Sequence, residues 1–89
     1  MGQDVKLTAS DGFKLGAYRA DPAGKPKAAI VVIQEIFGVN AVMRETTDWL
    51  SSQGYLAICP DLFWRIEPGI DITDKSKAEW DRAFELFGL

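Results

Sequence analysis

Apolar and polar residues alternate from Val5 to Ala9 and again from Phe13 to Arg19, with Ser10-Asp11-Gly12 between the two runs. Period-two alternation on either side of an Asp-Gly turn predicts a β-hairpin over residues 4–19, with one face packed and the other wet. Residues 21–27 break the pattern with Pro22, Gly24 and Pro26 and read as a loop. The next run, Ala28-Ala29-Ile30-Val31-Val32-Ile33, is apolar throughout and rich in β-branched residues. That is the pattern of a strand over 28–33 buried on both faces of a largely parallel sheet, which needs helices above and below it.

A helix over 41–53 follows, with Asn40 as its cap, Gly54 at its stop, and Val42, Met43, Trp49 and Leu50 loosely at helical spacing. Tyr55 to Cys59 forms a second short apolar strand, closed by Pro60-Asp61. Strand, helix and strand make a βαβ unit, so the two strands should lie parallel in one sheet. Residues 62–72 read as loop around Pro68-Gly69. A last helix over 74–87, capped by Thr73 or Asp74, should pack through Trp80, Ala83, Phe84 and Phe87. With two parallel strands, one hairpin and two helices, the sheet lacks the further strands that usually complete a doubly wound fold.

Composition narrows the class. A chain of 89 residues holds at most one small domain, and 47% hydrophobic with 26% charged residues is the balance of a compact globular fold. The net charge of −3, with no basic run, argues against nucleic acid as a partner. The longest apolar stretch falls far short of the roughly 20 residues of a membrane span. The start, Met1-Gly2-Gln3-Asp4, lacks the charged-then-apolar pattern of a signal peptide, so a cytoplasmic protein without membrane association is expected.

The chain has one cysteine and no histidine, so neither a Ser-His nor a Cys-His relay can be built from it. With no histidine and no spaced carboxylate cluster, neither a metal nor another cofactor is expected. Cys59, inside a strand and before Pro60, reads as a buried, inert thiol. The segment Gln34 to Asn40 is different, because it leaves the carboxyl end of a buried strand and enters a helix N-terminus, where open α/β sheets bind ligands. Unpaired backbone N–H groups there favour an anion or a developing oxyanion; a plain connection is the competing reading. Glu35 is unusual at this place, and desolvation would raise its pKa, against the alternative of a solvated loop carboxylate. Trp49, Trp64 and Trp80 read as core, and Arg44 with Glu45 as surface ion-pairing groups that orient the first helix.

These residues also carry a resemblance. Gln34-Glu35-Ile36-Phe37-Gly38-Val39-Asn40, with Met43-Arg44-Glu45, Gly54-Tyr55 and Cys59-Pro60-Asp61-Leu62-Phe63, resembles the dienelactone hydrolase (carboxymethylenebutenolidase) family of α/β-hydrolases over essentially the whole chain. The resemblance implies an incomplete α/β-hydrolase fold: a mainly parallel sheet with an amino-terminal β-hairpin and two flanking helices, residues 1–89 forming the amino-terminal portion of one domain. It implies hydrolysis of a lactone or carboxylic ester through a Cys-His-Asp triad that lies outside this chain. The G-x-C-x-G turn of the family's nucleophile does not occur here, and the chain alone should be inactive.

By the same resemblance, Glu35 matches the glutamate that modulates the nucleophile. Ile36 matches the residue whose backbone N–H forms half of the oxyanion hole, while Phe37 and Gly38 line the pocket. The family's arginine for a substrate carboxylate falls on Trp80, a departure that puts the dienelactone itself in question. Arg82 or Arg65 is a candidate substitute, since a guanidinium grips a carboxylate with two hydrogen bonds, against the plain reading of a solvated arginine. The implied partners are a small-molecule ester or lactone and the carboxyl-terminal remainder of the fold. The alternative is a non-catalytic module, or a truncated relic, that pairs with another hydrolase chain through its exposed sheet edge.

Overall fold

The computed structural model describes residues 2–88. Its elements are β1 (Gln3–Thr8), β2 (Lys14–Ala20), β3 (Ala29–Val31), α1 (Ala41–Ser52), β4 (Leu56–Pro60) and α2 (Lys77–Gly88). The strands form one sheet in the order β1-β2-β4-β3. β1 and β2 pair as a hairpin, β2 pairs antiparallel with β4, and β3 lies parallel to β4 with Ile30 opposite Ala57. The sheet is therefore mixed: parallel pairing is confined to the β3-α1-β4 unit. A hairpin is antiparallel by construction, and β2 joins β4 in the same sense.

Local chemistry explains the ends of α1. The Asn40 side chain accepts a hydrogen bond from the Met43 N–H at 3.2 Å, capping the first turn. At the other end Gly54 takes φ +98°. The Gly54 N–H then donates to Ser51 O at 3.0 Å and the Tyr55 N–H to Leu50 O at 3.2 Å, the paired bonds that satisfy a helix's last carbonyls.

α1 packs on β4 and β2. Its inward stripe is Met43, Thr47 and Ser51, all buried. The Thr47 hydroxyl donates to Met43 O at 2.8 Å and the Ser51 hydroxyl to Asp21 O at 2.7 Å, so these small polar groups are buried without loss of hydrogen bonds. Val42 and Trp49, expected on the packed face, point to solvent instead. Tyr18 of β2 adds a second tie, its hydroxyl donating to the Asp48 carboxylate at 2.8 Å and accepting from the Gly2 N–H at 3.1 Å.

The greatest departure from expectation lies in β3. The strand is three residues long, and Val31 and Ile33 are 60% and 64% exposed, so the 28–33 run is not buried on both faces. β3 is an edge strand paired on one side only. The described residues span only 16 Å in their thinnest dimension, enough for a sheet and one helical layer.

α2 does not supply the second layer. It starts at Lys77, later than expected, because Ser76 rather than Thr73 or Asp74 caps it: the Ser76 hydroxyl accepts from the Glu79 N–H at 3.2 Å and donates to the Glu79 carboxylate at 2.9 Å. The same carboxylate accepts from the Thr73 N–H at 2.7 Å. These hydrogen bonds, first the one from the Thr73 backbone, hold the Glu79 carboxyl below its ordinary range. The buried face of α2 is Ala83 and Leu86, whereas Phe84 and Phe87 of the expected face are exposed.

Candidate active site

The segment after β3 is held from three sides. The Gln34 side chain accepts from the Leu62 N–H at 2.9 Å and donates to Glu35 O at 3.1 Å, tying the segment to the exit of β4. Residues 35–38 turn, with the Gly38 N–H reaching Glu35 O at 3.4 Å, and Gly38 bridges to Asp71. The Ile72 N–H donates to Phe37 O at 3.0 Å, and the Asn40 amide, already capping α1, donates to Ile72 O at 2.8 Å. Arg44 completes the frame by donating to Val39 O at 2.7 Å and to Asp71 at 2.9 Å. Asp71, not the neighbouring Glu45, is thus the ionic partner of Arg44.

Within this frame the N–H groups of Ile36 and Phe37 have no hydrogen-bond partner among the described residues. They stand just before the N-terminus of α1, where the helix dipole adds to their preference for negative charge. Glu35 is exposed, so its carboxylate is solvated rather than turned into an apolar end of the strand. Phe37 and Ile36 are half-buried and Gly38 is buried.

The segment that supports the turn is organised by Asp61, whose importance is not evident from composition. Its buried carboxylate accepts from the Phe63 N–H at 3.1 Å and the Gly69 N–H at 2.8 Å, closing the 62–69 loop. The available signal was an Asp directly after a strand-ending proline, a position suited to bonding the backbone two residues on. Asp61 also acts on Cys59. Burial first, and the Asp61 charge second, push the Cys59 thiol above its ordinary value, which suppresses the thiolate.

A cleft of about 400 Å³ lies alongside, lined by Lys6, Tyr18, Arg44, Asp61, Ile70 and Asp71 among others, and it does not include residues 35–38. Arg82 is committed elsewhere: it pairs with Glu85 and, at 2.6 Å, with Glu67. Arg65 pairs with Asp11 and lies over the Trp64 ring at 4.2 Å. The tryptophans are not core. Trp49 and Trp80 are exposed, and Trp64 is half-buried against Phe13.

The description of the dienelactone hydrolase family matches residues 15–87. The chain belongs to the dienelactone hydrolase family. It is 57% identical over 84 residues to an Azospirillum brasilense protein assigned as a carboxymethylenebutenolidase, covering 93% of this chain and 36% of the relative. It is 42% identical over 85 residues to the carboxymethylenebutenolidase of Pseudomonas putida, covering 96% of this chain and 36% of that enzyme. A crystal structure of a Klebsiella pneumoniae protein assigned as a dienelactone hydrolase superposes with a TM-score of 0.61 at 37% identity, over 73% of this chain and 28% of the other.

The family fold is that of the α/β-hydrolases, and the four-stranded mixed sheet with two helices is a part of it. The chain spans about 36% of the length of these curated relatives. Among the described residues, no helix is long and apolar enough to cross a membrane.

Proposed function

We propose that residues 1–89 are the amino-terminal portion of a single α/β-hydrolase domain, and that the complete cytoplasmic enzyme hydrolyses a lactone or carboxylic ester through a Cys-His-Asp triad outside this chain. The observation that carries this reading is the unpartnered N–H of Ile36 on a turn tied down by Gln34, Gly38 and Asn40. A preorganised donor of this kind, fixed before the substrate arrives, stabilises charge without reorganising.

In the reaction, the cysteine thiolate adds to the carbonyl carbon and the carbonyl oxygen takes up negative charge while accepting from the Ile36 N–H. The carbon–oxygen bond to the alcohol then breaks, and water hydrolyses the thioester. Glu35 modulates the ionisation of the nucleophile, and Phe37 and Gly38 line the pocket. The chain has no histidine and its one thiol is buried, so alone it is inactive. Arg82, already paired with two carboxylates, has no part in this reading.

Backbone substitution separates the donor from the side chain. In the complete enzyme Ile36→Ala keeps the N–H and should retain most activity, whereas Ile36→Pro removes it and should lower kcat by about 100-fold or more. Equal activity in the two variants would remove Ile36 from the mechanism.

A second reading is favoured by the free edge of β3, where Val31 and, two residues past the strand's end, Ile33 are exposed. The chain would then be a non-catalytic module that pairs along this edge with another hydrolase chain. A mixture of the two chains that forms a defined complex without gain in hydrolysis would favour the module.

A further inference from the structure

The Ile36 N–H lies in the peptide plane that also carries Glu35 O, and in a trans peptide the two point in opposite directions, so whatever fixes the carbonyl aims the donor. Glu35 O accepts from the Gly38 N–H at 3.4 Å and from the Gln34 side chain at 3.1 Å. The Gly38 N–H shares its own plane with Phe37 O, which accepts from the Ile72 N–H at 3.0 Å. The direction of the donor is thus relayed from the 70–72 segment through two peptide planes. The 3.4 Å bond is the longest of the relay and the first to be lost if that segment shifts.

Arg44 fastens that segment to the turn. A single nitrogen, Nη1, donates to Val39 O at 2.7 Å and to the Asp71 carboxylate at 2.9 Å, with one hydrogen for each. Asp71 bridges to Gly38 and directly precedes Ile72, so holding its carboxylate places the Ile72 N–H. Stability alone does not select this arrangement. Arg44 sits in the first turn of α1, where the helix dipole disfavours a cation, and a partly exposed ion pair adds little. The other carboxylates around Arg44 are engaged: Asp48, one turn further along α1, accepts from Tyr18, and Asp61 accepts from the Phe63 and Gly69 N–H groups. Asp4 and Lys6 line the same cleft from β1. Asn40 also bonds both the turn and Ile72 O, but it caps α1 as well, so Arg44 and Asp71 are the pair whose effect on the donor is separable from helix formation.

We infer that Arg44, directed by Asp71, is a positioning residue that aims the Ile36 N–H at the reacting oxygen. This rests on the reading that the Ile36 N–H binds that oxygen.

The test is a double-mutant cycle in the complete enzyme with phenyl acetate as the substrate. Arg44→Ala should lower kcat about tenfold with KM changed by less than about twofold, a fraction of the loss expected from removing the donor itself. Asp71→Ala should lower kcat about threefold, and Asp71→Asn, which keeps an acceptor oxygen, should restore most of it. In an Ile36→Pro background there is no N–H to aim, so Arg44→Ala should then change kcat less than about twofold. If Arg44→Ala does not fold, the exposed Asp71 carries the same cycle through Asp71→Ala. An unchanged kcat in the folded single variant, or the same factor in both backgrounds, overturns the positioning role and leaves the hydrolase reading intact. Failure of Ile36→Pro to lower kcat removes the donor and the inference with it, and a complete enzyme that does not hydrolyse the ester overturns the hydrolase reading itself.

Discussion

A side-chain carbon at Gly38 would lie 2.1 Å from the Ile70 carbonyl oxygen, and Gly38 itself has φ +81°. Both facts demand glycine: the backbone of the turn is pressed against the 70–72 segment in a conformation that L side chains rarely adopt. Gly38→Ala should therefore lower stability by more than about 2 kcal/mol, combining left-handed strain with a backbone clash. Urea unfolding followed by circular dichroism measures it; a midpoint unchanged from the unsubstituted protein would contradict the close approach.

The cap of α2 gives a second prediction. Ser76→Ala should lower stability by about 1 kcal/mol, since it removes the acceptor for the Glu79 N–H. Glu79 links this cap to pH. Its folded pKa lies below its ordinary value of 4.5, so its contribution is present above pH 4.5 and is lost as pH falls through the folded value. Glu79→Gln should abolish that acid-side loss in a series of melts from pH 6 downward.

Tyr18 behaves in the opposite sense. Burial first, then the hydrogen bond to Asp48, raises its pKa above the ordinary 10.0. Its contribution is complete below pH 10.0 and disappears as pH rises through the folded value. Tyr18→Phe should lower stability at neutral pH by about 1 kcal/mol and flatten the alkaline limb, read from melting temperatures between pH 8 and 11.

The features legible in the sequence were those that depend on neighbours along the chain. Asn40 and Gly54 bound α1 through groups three or four residues away, and Asp11-Gly12 marks the hairpin turn. The Ser76 to Glu79 spacing was equally local, but the polar residues at 73 and 74 offered competing caps. Burial was less legible, because it depends on what lies across space. Ala28 to Ile33 reads as an interior strand, yet among the described residues its only partner is β4. Trp80, Ala83, Phe84 and Phe87 cover two adjoining helix faces, and the chain packs only the one that includes Ala83 and Leu86.

The site divides in the same way. Glu35 to Gly38 stood out by position at the end of a strand. The Arg44 partner lay 27 residues away at Asp71, and the contact of Phe37 with Trp80 bridges a loop, so neither has a sequence spacing to reveal it.

Cys59 supplies a prediction about what is not catalytic. Buried in β4 with its pKa raised, it should react with a thiol reagent such as dithionitrobenzoate only when the protein unfolds. Cys59→Ala in the complete enzyme should keep kcat unchanged; loss of turnover in a folded variant would restore Cys59 as a candidate nucleophile.

On the proposed function, this chain contributes an oxyanion donor to a hydrolase whose nucleophile and base lie outside it. The most direct measurement is phenyl acetate turnover by the 89-residue chain alone and after co-expression with the carboxyl-terminal remainder of the Pseudomonas putida relative. No turnover above background alone, and turnover restored in the co-expressed complex but not with Ile36→Pro, is the predicted result. Turnover by the chain alone, or a stable complex that never hydrolyses the ester, would contradict it.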